Sequence, residues 1–120
     1  MILVTGATGF VGRHVVAALR ADGREVRALV RDARKADTAA VVGDVTDPLG
    51  LRAAVAGCDT VIHLVAIRQG RPEQFQRVMV EGTRNLLAAA KEAGVKRFVH
   101  MSALGTSPQT KDLVPYFGAK

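Results

Sequence analysis

At 120 residues, 48% of them apolar, the chain is long enough for one domain with a buried core, and its alanine- and valine-rich, aromatic-poor composition excludes disorder. Its single cysteine, Cys58, closes no intramolecular disulfide, no apolar run reaches the roughly 18 residues of a membrane span, and Met1 leads into the first strand without a charged leader, so a cytoplasmic protein is expected. The net charge of +6 comes from dispersed arginines, and with one tyrosine and no tryptophan there is no base-stacking platform, so nucleic acid is not an expected partner.

The first element is the run Ile2, Leu3 and Val4, short and without helical period, as suits a strand buried on both faces of a parallel sheet. From Val11 the apolar residues fall at Val11, Val15, Ala18 and Leu19, one face of a helix that Gly23 terminates. Between strand and helix lies Thr5-Gly6-Ala7-Thr8-Gly9-Phe10-Val11-Gly12. In such a turn Gly6 permits a tight backbone, Gly9 lets a diphosphate approach the main chain, and Gly12 lets the helix pack close to the strand. The free amides of the helix start then face the anion, and Thr8, Phe10, Val11 and Arg13 belong to the same candidate nucleotide site.

Residues 25–30 predict a second strand, followed by Arg31 and Asp32, and residues 39–42 a short third strand ending at Gly43 and Asp44. Asp47 caps a helix with Pro48 at its first position, closed by Gly57. Residues 60–65 form the fourth strand, and Pro72 starts the longest helix, which runs to Gly94. There Phe75, Val78, Gly82, Leu86, Ala89 and Ala93 make an apolar stripe that Met79, Thr83 and Leu87 widen, so two covered surfaces and a homodimer through residues 72–94 are expected. Residues 96–101 predict a fifth strand, and a last helix begins near Val114. This alternation implies an α/β fold: a doubly wound, Rossmann-like parallel sheet ordered 3-2-1-4-5, with residues 1–120 forming one dinucleotide-binding domain.

The spacing Thr5-Gly6-x-x-Gly9-x-x-Gly12 resembles the short-chain dehydrogenase/reductase superfamily, most closely its extended and atypical branches. Those branches include nucleotide-sugar epimerases and dehydratases, and reductase-like proteins related to the NADPH-binding accessory subunit of respiratory complex I. At the end of the second strand an acidic residue accepts from a free ribose 2′-hydroxyl, whereas an arginine neutralises a 2′-phosphate. Arg31 stands there, one position before Asp32; Arg13 adds a guanidinium, with Arg34 and Lys35 as further cations unless they serve only as surface charge. NADP(H) is therefore expected over NAD(H). The resemblance implies that Gly43-Asp44-Val45 is the adenine-contacting turn, with Asp44 accepting from the exocyclic amine and Val45 near the ring. From spacing alone Asp44 is equally a turn aspartate preceding a helix. Val65 and Ala66 resemble the small-residue wall beside the cofactor. His63 is expected to be a satisfied core histidine, and with His14 and His100 on other elements no metal site is expected.

Tyr116-Phe117-Gly118-Ala119-Lys120 sets a tyrosine and a lysine at i and i+4, on one helical face, downstream of Ser102 at the end of the fifth strand. In the superfamily resembled, a serine, tyrosine and lysine so placed transfer a proton while the nicotinamide exchanges hydride. A free tyrosine has a pKa of about 10, too high for a base at neutral pH, and a nearby ammonium favours the phenolate. By resemblance Lys120 also holds the nicotinamide ribose, Ser102 bonds the substrate oxygen and Tyr116 exchanges its proton. Two departures stand out. Met79 occupies a position where many members carry asparagine, and a thioether cannot replace an amide in a proton relay. Lys120 is the last residue, so the helix around the pair is expected to fray, with the terminal carboxylate offsetting the lysine charge. The expected parent activity is that of an NADP-dependent oxidoreductase or nucleotide-sugar epimerase/dehydratase, acting on a small molecule that the sequence does not specify. The 120-residue chain itself is expected to bind a dinucleotide weakly and turn over slowly or not at all, its substrate region being absent. The rival, suggested by Arg31, residues 63–67 and the loop 102–105, is a non-catalytic NADPH-binding structural or redox-sensing protein.

Overall fold

In a computed structural model, which describes residues 1–32, 34, 40–65 and 70–101, five strands pair in parallel. They are β1 (Ile2–Thr5), β2 (Val26–Val30), β3 (Ala40–Val42), β4 (Thr60–His63) and β5 (Arg97–His100), in the order β3-β2-β1-β4-β5. This is the predicted 3-2-1-4-5 sheet. β1 lies at its centre and is buried on both sides: Leu3 packs into the core beneath one face and Val4 into the core beneath the other. Ile2 stands opposite both Val26 and Thr60, so β1, β2 and β4 run level, and the segments leaving their carboxyl ends open along one edge. Ligands of open α/β sheets bind at that edge.

Helix α1 (Phe10–Ala21) covers one face, where Val16 meets Val4, Val26, Ala28 and Val30. On the other face lies α2 (Pro48–Val55), started as predicted by Asp47, whose side chain accepts from the Leu49 amide, and by Pro48 in the first turn. Its end is closed from the sheet: Arg27 on β2 donates from Nη1 to the carbonyls of Ala54 and Ala56, at 2.7 and 2.8 Å. A cation at a helix C-terminus satisfies carbonyls that have no helical partner. Beside it Cys58 is buried, which pushes its thiol up from 9.0, with the Arg27 charge opposing.

The long helix begins at Pro72 as predicted, yet it is not α-helical throughout. A short α3 (Pro72–Gln74) passes into a π-helical segment, Phe75–Glu81, and then into α4 (Gly82–Glu92). The Gly82 amide bonds the Arg77 carbonyl, five residues back. Burial runs through Phe75, Met79, Gly82, Leu86, Ala89 and Ala90, whereas Val78 is half-buried, Ala93 is exposed and Leu87 is 46% exposed.

β4 ends at His63, two residues before the predicted end. The cause is local: the Leu64 amide donates to the Thr5 hydroxyl at 3.1 Å and thereby leaves the strand ladder. The helix predicted near Val114 lies outside the described residues. Among those described, no helix is long and apolar enough to cross a membrane.

Candidate functional site

The site starts at the turn between β1 and α1. Gly6 has φ +66°, and a Cβ there would lie 2.8 Å from the Leu64 carbonyl carbon, so both conformation and space require glycine. Gly12 is buried, with a Cβ position only 1.9 Å from the Gly6 carbonyl oxygen; it is the contact that lets α1 close on the turn. The Gly9 amide bonds the Gly6 carbonyl at 3.1 Å, and Gly9 precedes the helix without a side-chain cap. No acidic residue stands in the first turn of α1. The first-turn amides and the positive end of the helix dipole thus meet neither a side-chain cap nor an acidic residue of their own turn, an arrangement suited to a phosphate.

Behind the turn runs a buried chain of hydrogen bonds. Thr83 donates its hydroxyl to the Met79 carbonyl, so its oxygen accepts from His63 Nε2 at 2.8 Å. Nδ1 is then the acceptor for the Thr5 hydroxyl, at 2.7 Å, and the Thr5 oxygen accepts the Leu64 amide. A neutral imidazole protonated on Nε2 satisfies every one of these bonds. His63 is the satisfied core histidine that was expected, and it ties β1, β4 and the long helix together.

In front lies a cavity of about 530 Å³, within the range of small-molecule sites. Seven of the residues read from sequence line it: Gly6, Thr8, Gly9, Arg31, Asp44, Val45 and Val65. Asp44 Oδ1 accepts from both the amide and the hydroxyl of Thr46, each at 2.9 Å, which is turn geometry; Oδ2 makes no bond among the described residues. The buried Val45 sits against Gly82, and its carbonyl accepts from Asn85 at 3.0 Å.

Arg31 and Asp32 have different surroundings. Arg31 is exposed on the cavity wall with no polar partner among the described residues. The Asp32 carboxylate instead holds Arg34, accepting from its amide at 3.0 Å, from Nε at 3.2 Å and from Nη2 at 3.0 Å. Arg34 is therefore taken up by Asp32.

Other candidates stand apart. Arg13 lies over the Phe10 ring, 5.6 Å from its centroid, and lines a neighbouring 280 Å³ cavity that shares Thr8 with the first. Phe10, 73% exposed, and Val11 line neither cavity. Lys35, Ala66, Ser102, Tyr116 and Lys120 lie outside the described residues. The sequence reading missed Gln74 and Arg77, which line the main cavity from the long helix; Val78 lines it too, though its spacing reads as core.

The profile of the NAD(P)H-binding family matches residues 6–119. The chain is 41% identical over 121 residues to sterol demethylase protein B of Methylococcus capsulatus, which covers 89% of this chain and 36% of that protein. It is 37% identical over 127 residues to a 3-beta-hydroxysteroid dehydrogenase of Mycolicibacterium neoaurum, covering 94% of this chain and 34% of the relative. A short-chain dehydrogenase/reductase superfamily protein from Agrobacterium tumefaciens, solved with bound NAD, superposes with a TM-score of 0.80 at 44% identity, over 92% of this chain and 34% of its own. The chain spans about a third of the length of these relatives. An uncapped helix start, an arginine at the end of β2 and a carboxylate oxygen beyond β3 fit a dinucleotide, and the chain belongs to the NAD(P)H-binding family, within the short-chain dehydrogenases/reductases.

Proposed function

We propose that the chain binds NADP(H) in preference to NAD(H) and is the cofactor domain of an NADP-dependent oxidoreductase. The preference is carried by the contrast at the end of β2. Arg31 faces the cavity unpaired among the described residues, while the Asp32 carboxylate already accepts three bonds from Arg34, whose guanidinium meets its charge. A guanidinium meets a phosphate with paired, charge-assisted donors. Titration of the chain with each cofactor tests this: NADPH binds more tightly than NADH, and R31A weakens NADPH by about tenfold while sparing NADH. Tighter binding of NADH, as the NAD-bound relative would suggest, overturns the preference.

The nicotinamide, when bound, supplies hydride exchange. In this proposal the proton is handled by the chain's own residues: Lys120 favours the Tyr116 phenolate, Ser102 holds the substrate oxygen, and Tyr116 exchanges the proton. The match of these three residues to the superfamily's pattern supports that assignment. Two of the relatives named above are dehydrogenases by description, which favours an enzyme over the structural or redox-sensing alternative.

A further inference from the structure

The long helix supplies part of the cavity lining. Gln74 and Arg77 line the same space as Gly6 and Gly9, one helical turn apart from each other. Arg77 is exposed, and its side chain makes no hydrogen bond or ion pair among the described residues. This is notable because Glu73 and Glu81 stand four residues to either side, the spacing at which an α-helix pairs opposite charges. The backbone explains it. Arg77 lies inside the π-helical segment, and its own carbonyl accepts the bond from Gly82 that marks the wide turn. Phe75 and Met79 stay in the core while Arg77, between them in the chain, lines the cavity. Such single π turns recur at functional sites.

Charge decides what the residue does. Among the described lining residues the cations are Arg31 and Arg77, against one carboxylate, Asp44. Arg31 follows the last residue of β2, on the ribose side. The glycine turn offers a diphosphate only the partial charges of its amides. Gln74 Oε1 is held by the Arg71 amide at 2.8 Å, which leaves its NH2 group as the end able to donate. We propose that the π-helical segment presents Arg77 as the counter-cation of the dinucleotide's diphosphate, bound from the long helix in the cavity that the glycine turn also lines, with Gln74 donating beside it. The proposal rests on the dinucleotide reading and deepens it.

Calorimetric titration of the protein, R77A and R77K with NADPH, NADH, ADP and adenosine 2′-monophosphate tests it. R77A is expected to weaken NADPH, NADH and ADP alike by about tenfold and to leave adenosine 2′-monophosphate unchanged, with R77K recovering part of the loss. R31A is expected to do the reverse for the two mononucleotides. A loss confined to NADPH and adenosine 2′-monophosphate would put Arg77 on the 2′-phosphate and overturn the proposal, as would unchanged affinities in R77A. Where R77A melts earlier than the parent, R77Q decides: a like loss of ADP affinity supports the proposal, and ADP affinity unchanged from the parent overturns it. Failure of the unmodified chain to bind either dinucleotide overturns the cofactor reading and this proposal with it, and is told apart because it needs no substitution.

Discussion

Thr83 has one hydroxyl hydrogen and gives it to the Met79 carbonyl, which obliges its oxygen to accept from His63. One methyl-for-hydroxyl exchange therefore removes two bonds. T83V is expected to cost about 1–3 kcal/mol, because it takes the acceptor from a buried N–H and the donor from a carbonyl. Urea denaturation measures this as a lowered midpoint with an unchanged slope. A midpoint equal to that of the parent would mean that the chain through His63 carries no stability. Met79 belongs to the same account. Its side chain is core packing and its carbonyl ends the hydrogen-bond chain, so the thioether fills a space where many relatives of the superfamily carry an amide.

At the scale of elements, the strand-turn-helix unit depends on the contact between Gly12 and Gly6. A Cβ at position 12 would lie 1.9 Å from a backbone oxygen, and no rotamer moves a Cβ. G12A forces α1 off the turn and is expected to cost about 3 kcal/mol or more, together with dinucleotide binding. Thermal melting and titration of the same sample check both halves. This unit was legible in the sequence because glycine spacing and a short apolar run report directly on backbone space and burial. Asp47-Pro48 was legible for a similar reason, since cap and first turn are set by neighbours in the chain. The π-helical segment was not. Residues 75–81 continue an ordinary helical alternation, and the choice of a five-residue bond at Gly82 arises where α4 meets Val45, a contact made in three dimensions. The short β4 was hidden too, since a threonine from β1 captures its next amide.

At the scale of the whole molecule, the parallel order β3-β2-β1-β4-β5 gathers residues from positions 6 to 78 around one cavity. The residues proposed for proton transfer come from the end of the chain, after β5. Binding and chemistry are thus separable. Y116F is expected to lower turnover by about 10²–10⁴-fold, the usual worth of a positioned acid or base, while leaving the dissociation constant for NADPH within about twofold. Steady-state rates and titration measure the two independently; undiminished turnover would remove Tyr116 from the proposed chemistry. The cofactor half of this division was legible because each strand end carries its own signal. Arg77 escaped notice because nothing in a sequence marks which helical cation is turned inward.

The connection that carries Asp44 is fastened twice. Arg27 anchors the far end of α2 to β2, and Asn85 holds the Val45 carbonyl to α4, with Gly82 against the same valine. Because Arg31 follows directly on β2, the carboxylate that would meet the base and the guanidinium that would meet the ribose phosphate ride on one brace. The spacing between them is then a property of the scaffold, a ruler set by strand and helix against which the proposed adenosine would be measured.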